Sequence, residues 1–446
     1  MSLRLRYLVL IVAATNAAAA CAGDAGAARV AFSVSDSAGV LLVRNDGDPA
    51  AMDSAAVEPV EILRIGVVDG APEYQFDQLA AIHATDDGRI FAINGGTRTI
   101  RVYDVQGRFL REFGGKGGGP HEFQSLHGLF VRGDTVVALG SDKVAVFDTL
   151  GDLRSSWSTR REMPASASVG ELQGSAHVFL AGWDSLGWRA IVRKYDYSKR
   201  YEIGRAYRDT TDQFRIDIMT GQLLDDSMPA LIAPQVRYAI FERGEGALAE
   251  RLWEAHPVEA PGPNGRRYSS DGLSYVIDVH DSTGRLERRI TRAHSPVPLG
   301  EPELNSFRDR MQARFDSFPN PHARSGAWER AMYLEKIPAL GHPPSLQAIG
   351  QIMPMSDSTI WVSRPDLRVD PVDVAYESRR RMAFMAFRGT GPQQWDRFDR
   401  EGRYLGSVII PAGIAVRQYR ATELIGVRRD SLDVEYIVRL RVPTGR

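Results

Sequence analysis

The sequence predicts an all-β protein built from repeated four-stranded units. Glycine accounts for 42 of the 446 residues, about 9% of the chain against the roughly 7% that is usual, and strand-forming residues dominate the apolar set. This composition favours many short strands joined by tight turns. A hairpin motif recurs along the chain, and its copies at Asp104, Asp148 and Asp196 are 44 and 48 residues apart. That period is close to the length of one β-propeller blade.

Composition and charge exclude several classes of protein. Hydrophobic residues form 43% of the chain and charged residues 25%, as in an ordinary soluble globular protein rather than a disordered one. Lysine and arginine number 55 against 56 aspartate and glutamate, which gives a formal net charge of -1. We therefore expect no nucleic-acid partner. The single cysteine excludes an intramolecular disulfide, so packing must stabilise the fold.

Residues 1–20 predict a secretory signal peptide. Arg4 and Arg6 give the chain a positive start. The apolar run Tyr7–Ala14 and the small residues Ala17–Ala20 follow. The run is too short for a transmembrane helix, which needs about 20 apolar residues. We therefore expect cleavage and export of the mature chain.

Cys21 directly follows this segment. The sequence Ala18–Cys21 resembles a bacterial lipobox, although leucine is commoner at the position of Ala18. The resemblance implies a diacylglycerol thioether on Cys21, with a flexible tether reaching to residue 38. Ala22 in place of aspartate resembles the sorting pattern of outer-membrane lipoproteins, which implies an envelope protein facing the periplasm or the surface. Ordinary signal-peptidase cleavage after Ala20 is the alternative.

The recurring hairpin has the pattern aromatic-Asp-x-x-Gly-Arg-aromatic-Leu. An aspartate side chain can bond downstream backbone amides, and glycine takes the positive φ that closes a tight turn. Each copy therefore predicts a strand, a turn and a returning strand. Copies of the motif, some of them partial, begin at Tyr103, Phe147, Tyr195, Asp281 and Phe398.

A second element combines a strand end, a glycine-rich loop, a proline and an aromatic residue. It occurs at Ile65–Phe76 and again at Phe113–Phe123. The glycines Gly114–Gly119 could cradle a phosphate, but no Lys-Ser/Thr pair and no helix start follow them. We interpret the element as a connection between blades.

Together with the strand starts at Asp86–Ile93 and Ser356–Val362, these two elements resemble the bacterial six-bladed β-propeller family related to NHL-repeat proteins. The resemblance implies a propeller over residues 39–446 that is closed by an N-terminal strand within Val40–Ile65, so the ring has no open sheet edge. A separate hairpin over Arg237–Trp253 would make seven blades and is the alternative. We expect a monomer. The predicted blades cover residues 79–113, 126–158, 173–205, 230–292, 346–406 and 413–442.

A helical insertion is predicted over residues 300–340. Apolar residues recur at helical spacing from Leu304 through Phe307 and Met311 to Phe315, and Ala327–Ile337 predicts a second short helix. The helices either pack against the propeller or cover its central opening as a lid.

A long loop insertion over residues 364–394 mixes basic and aromatic residues. Arginine, tyrosine, phenylalanine and methionine are enriched at binding surfaces. The insertion is therefore either a contact site or an additional strand with a solvated basic face. The candidate contact residues are Tyr376, Arg379, Arg380, Arg381, Phe384 and Phe387.

Catalytic motifs are not evident in the sequence. The nine histidines are scattered without metal-ligand spacing, and neither a second cysteine nor a serine-nucleophile motif is present. A propeller can still assemble a central site from several blades. His83 and His127 lie on or beside predicted inner strands and are the candidate channel residues, although they follow Phe76 and Phe123 at different offsets.

The sequence thus favours an envelope-anchored lipoprotein that acts as a binding or protein-interaction platform through loops on one face. The expected partners are the membrane, through the lipid on Cys21, and an envelope protein or glycan. A purely structural lipoprotein would differ only in lacking a discrete partner. The enzymatic alternative resembles the propeller hydrolases of the lactonase type, which hold calcium through carboxylate and amide oxygens. Calcium is expected only under that alternative, and no other cofactor or metal is predicted.

Overall fold

The protein is a six-bladed β-propeller of strands with few helices. The computed structural model describes residues 31–443 with the exception of 55, 142, 163–174, 185–186, 194–201, 209, 233–234, 241–245, 317–329, 356–357, 368–391 and 421. In this part of the chain, no helix is both long enough and apolar enough to cross a membrane.

The N-terminal segment attaches to the outside of the ring before it closes the ring. A hairpin of β1 (Ala31–Ser37) and β2 (Val40–Asp46) extends the fourth blade, because β2 pairs in parallel with the strand Leu286–Arg292. Helix α1 (Pro49–Ser54) follows, and then β3 (Val60–Ile65). The predicted flexible tether up to residue 38 is therefore wrong at its end, since β1 is already a paired strand.

The first two blades match their predicted limits to within two residues. Each is an antiparallel sheet whose first strand is innermost and whose fourth is outermost. The first blade contains β4 (Leu79–Ala84), β5 (Ile90–Asn94), β6 (Thr99–Tyr103) and β7 (Phe109–Gly114). The second contains β8 (Gly128–Arg132), β9 (Thr135–Leu139), β10 (Lys143–Asp148) and β11 (Leu153–Ser158).

The third blade is longer than the predicted 173–205. A small three-stranded sheet joins a segment within this stretch of the chain to the hairpin that follows it. Its strands and those of the small sheet are β12 (Arg160–Glu162), β13 (Ser175–Asp184), β14 (Gly187–Arg193), β15 (Ala206–Tyr207), β16 (Thr210–Ile216), β17 (Leu223–Ile232), β18 (Val236–Ile240) and β19 (Gly246–Ala249). The hairpin suspected at Arg237–Trp253 therefore exists, but it pairs with β15 and is neither a seventh blade nor part of the fourth.

The fourth blade begins at residue 258 rather than the predicted 230. Short 3-10 turns occur at Pro72–Tyr74 and within this blade at Pro263–Gly265. Its strands are β20 (Val258–Pro261), β21 (Arg267–Ser270), β22 (Val276–His280) and β23 (Leu286–Arg292). The insertion that follows contains α2 (Glu301–Asp316), a π-helical turn (Met332–Lys336) and a helical turn (Ile337–Ala339). This confirms helical structure in the predicted insertion.

The sixth blade joins the two ends of the chain. Strand β3 pairs antiparallel with the last strand of the chain, which confirms closure by an N-terminal strand. The fifth blade contains β24 (Gln351–Pro354), β25 (Ile360–Ser363), β26 (Gln393–Phe398) and β27 (Tyr404–Ile410). The sixth contains β28 (Ile414–Tyr419), β29 (Glu423–Arg429) and β30 (Glu435–Arg441), with β3 outermost.

The aspartate-glycine turns form as their chemistry predicts. Asp104 Oδ1 accepts hydrogen bonds from the backbone N–H groups of Gln106 and Arg108 at 3.0 and 2.9 Å. Gly107 has a φ of 82°, a conformation that glycine adopts without steric cost. The turns that begin at Asp148, Asp281 and Asp399 have the same bonding.

The third copy of the turn lies at a different aspartate from the predicted Asp196, which is outside the described residues. Asp217 Oδ1 accepts from the N–H groups of Met219 and Thr220, and Gly221 has a positive φ. The spacing between the described turns of the second and third blades is therefore longer than the predicted 48 residues, because the connection between β14 and β16 lengthens this blade.

The core is divided among the interfaces between neighbouring blades. Between the first and second blades, for example, Phe91, Phe123 and Phe147 are fully buried. Similar apolar clusters lie between the second and third, the fourth and fifth, the fifth and sixth, and the sixth and first blades. These blades thus depend on their neighbours for the burial of their sheet faces.

Candidate binding face

The direction of the strands determines on which of the two faces of the propeller each connection lies. Since neighbouring strands are antiparallel and every blade starts at the axis, connections between blades emerge on the same face as those between second and third strands. Contacts between blades agree with this arrangement: Glu435, which starts β30, accepts a hydrogen bond from the N–H of Leu79, which starts β4. We call this face the insertion face. The opposite face carries the aspartate-glycine turns, and we call it the turn face.

Every connection of 16 or more residues lies on the insertion face. On the turn face, no connection within a blade of the described strands exceeds the six residues 217–222. On the insertion face, the connections 194–209, 233–257, 293–350 and 364–392 contain 16, 25, 58 and 29 residues. The residues that distinguish this propeller from a minimal one are therefore concentrated on one side.

The helical insertion packs on the chain segments that lead into the fourth and fifth blades. The apolar face of α2 is buried through Leu304, Phe307, Met311 and Phe315, against Leu252, Trp253 and Leu346. The helix is therefore packed on the propeller through its predicted apolar face. Residues 317–329, which include the start of the predicted second helix, are outside the described residues.

Trp253 is the anchor of this packing. Its φ of 55° is unusual for a residue with a bulky side chain. The indole lies edge-on to Phe307 with 6.0 Å between ring centroids, and edge-on to His342 at 6.1 Å. Such a backbone conformation persists only where surrounding contacts hold it. The insertion is therefore joined firmly to the connection that precedes the fourth blade.

Charged and polar contacts also hold the segment that leads into the fourth blade on the insertion face. Arg251 pairs with Glu254 at 2.6 Å, and the exposed His256 has its Nε2 2.9 Å from Glu250 Oε2. The N–H of His256 donates to Gln347 Oε1 at 2.9 Å. These contacts connect the segments that enter the fourth and fifth blades, so the face is one continuous surface there.

The predicted contact residues Tyr376, Arg379, Arg380, Arg381, Phe384 and Phe387 lie outside the described residues. The ends of their connection are described and lie side by side, because the N–H of Arg364 donates to the carbonyl oxygen of Gln394 at 2.9 Å. Both ends belong to the insertion face. Cys21 is also outside the described residues.

The two predicted channel histidines do not form one site. His83 lies near the end of β4, on the turn-face side, whereas His127 directly precedes β8, on the insertion-face side. Burial and the nearby Arg420 guanidinium lower the pKa of His83 to about 4. Burial also lowers the pKa of His127. Both imidazoles are therefore neutral at neutral pH.

Histidine, cysteine, aspartate and glutamate side chains form no group of three or more that could hold a metal ion in the described part of the chain. Amide oxygens, which the calcium-dependent alternative would also use, are not among these ligands.

A buried ion network between the fourth and fifth blades has no signature in the sequence. Arg292, at the end of β23, has its Nε 3.6 Å from the Asp396 carboxylate on β26 and also hydrogen-bonds to Asp53 of α1. Arg364 lies 2.5 Å from the same Asp53 carboxylate. The hydroxyl of Tyr275 donates to Asp396 at 2.5 Å. No local motif could reveal this group, since its members are spread from residue 53 to residue 396.

The contacts of this network favour the charged forms of Asp53 and Arg292. Burial would raise the pKa of Asp53, but hydrogen bonds from Arg364 and Arg292 hold it below its usual value. Burial likewise opposes the charge on Arg292, and the Asp396 carboxylate overcomes it and raises the pKa of the guanidinium. The network thereby fastens α1 against two blades, which explains how the N-terminal segment is held outside the ring.

No family model matches the chain, and no curated protein matches it. Solved structures match nearly its whole length. A DUF4221-family protein from Bacteroides vulgatus is 11% identical with a TM-score of 0.47, over 88% of this chain and 99% of that one. Streptogramin B lyase is 11% identical with a TM-score of 0.36, over 86% and 98%. Virginiamycin B lyase from Staphylococcus aureus is 10% identical with a TM-score of 0.36, over 85% and 98%. Similarities this distant assign no function.

Proposed function

We propose that this protein is an exported, lipid-anchored propeller that binds a partner in the cell envelope through its insertion face. The observation that carries the proposal is the distribution of the connections: those of 16 or more residues emerge on one face, and on the other face the described blades have only short turns. Binding residues are characteristically placed on loops that a rigid scaffold positions. The interlocked blades supply that scaffold.

Export and anchoring are supported by the N-terminal sequence. The positive start, the short apolar run and the small residues before Cys21 are typical of a signal peptide with a lipobox. Acyl chains on Cys21 would hold the protein to a membrane, because each buried methylene contributes about 0.8 kcal/mol. The outer membrane is the proposed location.

The partner is proposed to be an envelope protein or a glycan. The connection between β25 and β26 contains three consecutive arginines, Arg379, Arg380 and Arg381, among aromatic residues. Arginine and aromatic side chains supply much of the energy of known interfaces. Since both ends of this connection lie on the insertion face, its residues are the first candidates for the contact.

The test is to replace Arg379, Arg380 and Arg381 together with alanine. We expect the triple variant to bind the envelope component retained by the wild-type chain about fivefold or more weakly, a loss above about 1 kcal/mol. The matched control replaces three exposed arginines of the turn face, Arg108, Arg285 and Arg400, and should bind as the wild type does. Unchanged binding by the first variant, or an equal loss in the control, would refute this contact.

A further inference from the structure

A row of hydrogen-bond donors faces the interface between the fifth and sixth blades. Gln393, Trp395 and Arg397 alternate along β26 and therefore point to the same side of the sheet. Trp361 of β25 pairs directly with Arg397. All four residues are buried, and Arg397 is only 6% exposed.

These buried donors have no acceptor within the described chain. The side-chain nitrogens concerned are Arg397 Nε, Gln393 Nε2 and the indole Nε1 atoms of Trp361 and Trp395. The Arg397 guanidinium lies over the Trp361 ring, 5.7 Å from its centroid. Stacking compensates part of the buried charge, but it leaves the Nε–H group of Arg397 unpaired.

A further arginine and an aromatic ring lie next to this row of donors. The ring of Tyr419, at the end of β28, is 4.5 Å from the Trp395 ring and 5.7 Å from that of Trp361. Arg417 acts electrostatically on the Tyr419 hydroxyl. The nearest carboxylate along β26, Asp396, points to the other side of the sheet and belongs to the network with Arg292.

Other buried arginines show what Arg397 lacks. Arg101 pairs with Glu112 at 2.6 Å, and Arg292 pairs with Asp396. Burial without a carboxylate partner lowers the pKa of Arg397. A buried, uncompensated charge is strongly destabilising, so such a group ordinarily has a counter-charge.

We propose that the interface between the fifth and sixth blades binds a small monovalent anion, of the size of chloride or of a formate group, on Arg397, with the indole N–H groups of Trp361 and Trp395 as the neighbouring donors. The lining combines a guanidinium cation with unpaired N–H donors, and no described carboxylate acts on Arg397, so it selects an anion over a cation. The burial of these side chains restricts the size of the anion. Beside Arg397, the outer strand has Gly406, where an added Cβ would meet no atom within 4 Å, so the site has free space on its outer side.

The test measures the melting temperature of the mature chain while chloride replaces the bulky buffer anion HEPES at constant ionic strength, with a second series in formate. We expect a rise of about 2–3 °C for the wild type. The variant R397M should show no rise. The control R400M, which removes an exposed arginine of the turn face, should rise as the wild type does. The formate series distinguishes a carboxylate group from an inorganic ion.

Replacing a buried unpaired charge by an apolar side chain of similar volume is often stabilising. In HEPES alone, R397M should therefore melt above the wild type. A second variant, W361F, keeps an aromatic ring but loses one donor, and we expect its anion midpoint to shift about fivefold to higher concentration. The proposal is overturned if neither anion raises the wild-type melting temperature, if R397M rises equally, or if R397M is the less stable protein in HEPES.

Discussion

At the scale of single residues, the same strand position carries different charged residues in different blades, and these form ion pairs with different partners. The residue three places before the turn aspartate is Arg101 in the first blade, Asp278 in the fourth and Asp396 in the fifth. Arg101 and Asp278 pair with the neighbouring outer strand of their own blade, at 2.6 and 2.7 Å. Asp396 instead pairs with Arg292 of the preceding blade. The motif predicts the turn, but it cannot predict which partner the charge beside it will take.

The burial of His83 makes the stability of the fold depend on pH. It is neutral in the fold, with a pKa of about 4 against an ordinary value of 6.5. Between these two pH values the unfolded chain binds a proton on this histidine and the folded chain does not. Stability must therefore fall as the pH falls through this range.

We predict that replacing His83 by glutamine removes this pH dependence. The difference in free energy of unfolding between wild type and H83Q should shift against the wild type by about 3 kcal/mol from pH 7.5 to pH 4. Urea unfolding of both proteins across this range measures it. Parallel curves for the two proteins would show that His83 is not held neutral.

At the scale of elements, the four aspartate-glycine turns predicted in the first, second, fourth and fifth blades are nearly identical but have different neighbours. Gly284 and Gly402 have φ values of 85° and 87°. A Cβ added to Gly402 would lie 2.7 Å from Ile290 Cγ1, because this turn packs on the outer strand of the preceding blade. A Cβ added to Gly284 would meet nothing within 4 Å.

Substitutions at Gly284 and Gly402 therefore distinguish the energetic cost of backbone strain from the cost of overpacking between blades. We expect Gly284→Ala to lower the free energy of unfolding by about 1 kcal/mol, the cost of a left-handed conformation. Gly402→Ala should cost about 1–3 kcal/mol more, because the added methyl group also overpacks the interface. Denaturant midpoints of the two variants measure the difference. Equal losses would mean that the turn does not press against its neighbouring blade.

The elements also show where sequence patterns succeed and fail. Blades one and two have short connections, so their limits follow from the turn motif to within two residues. In the third blade, the 16-residue connection before β16 breaks the period, so the pattern does not identify the turn aspartate Asp217. The small sheet of β15, β18 and β19 joins segments on either side of β16 and β17, a pairing that local sequence does not encode. Local sequence likewise does not reveal the row of buried donors on β26, because only the structure shows that these nitrogens have no acceptor.

At the scale of the whole molecule, ring closure and strand direction together create two unlike faces. Antiparallel blades joined in sequence send their connections alternately to the two sides, so insertion at one class of connection enlarges one face only. The exposed apolar residues Leu273 and Leu432 belong to connections on the insertion face, and they are 65% and 75% exposed. They offer positions from which contacts of this face can be sampled without disturbing the core.

The central claim is that the insertion face is the binding face. Its most direct measurement is photo-crosslinking in the intact envelope, with a benzophenone amino acid placed at Leu273 or Leu432 on the insertion face, or at Val105 or Leu150 on the turn face. We predict that the two insertion-face positions capture the same envelope component and that the two turn-face positions capture none. Capture of a defined partner from the turn face, with none from the insertion face, would contradict the account.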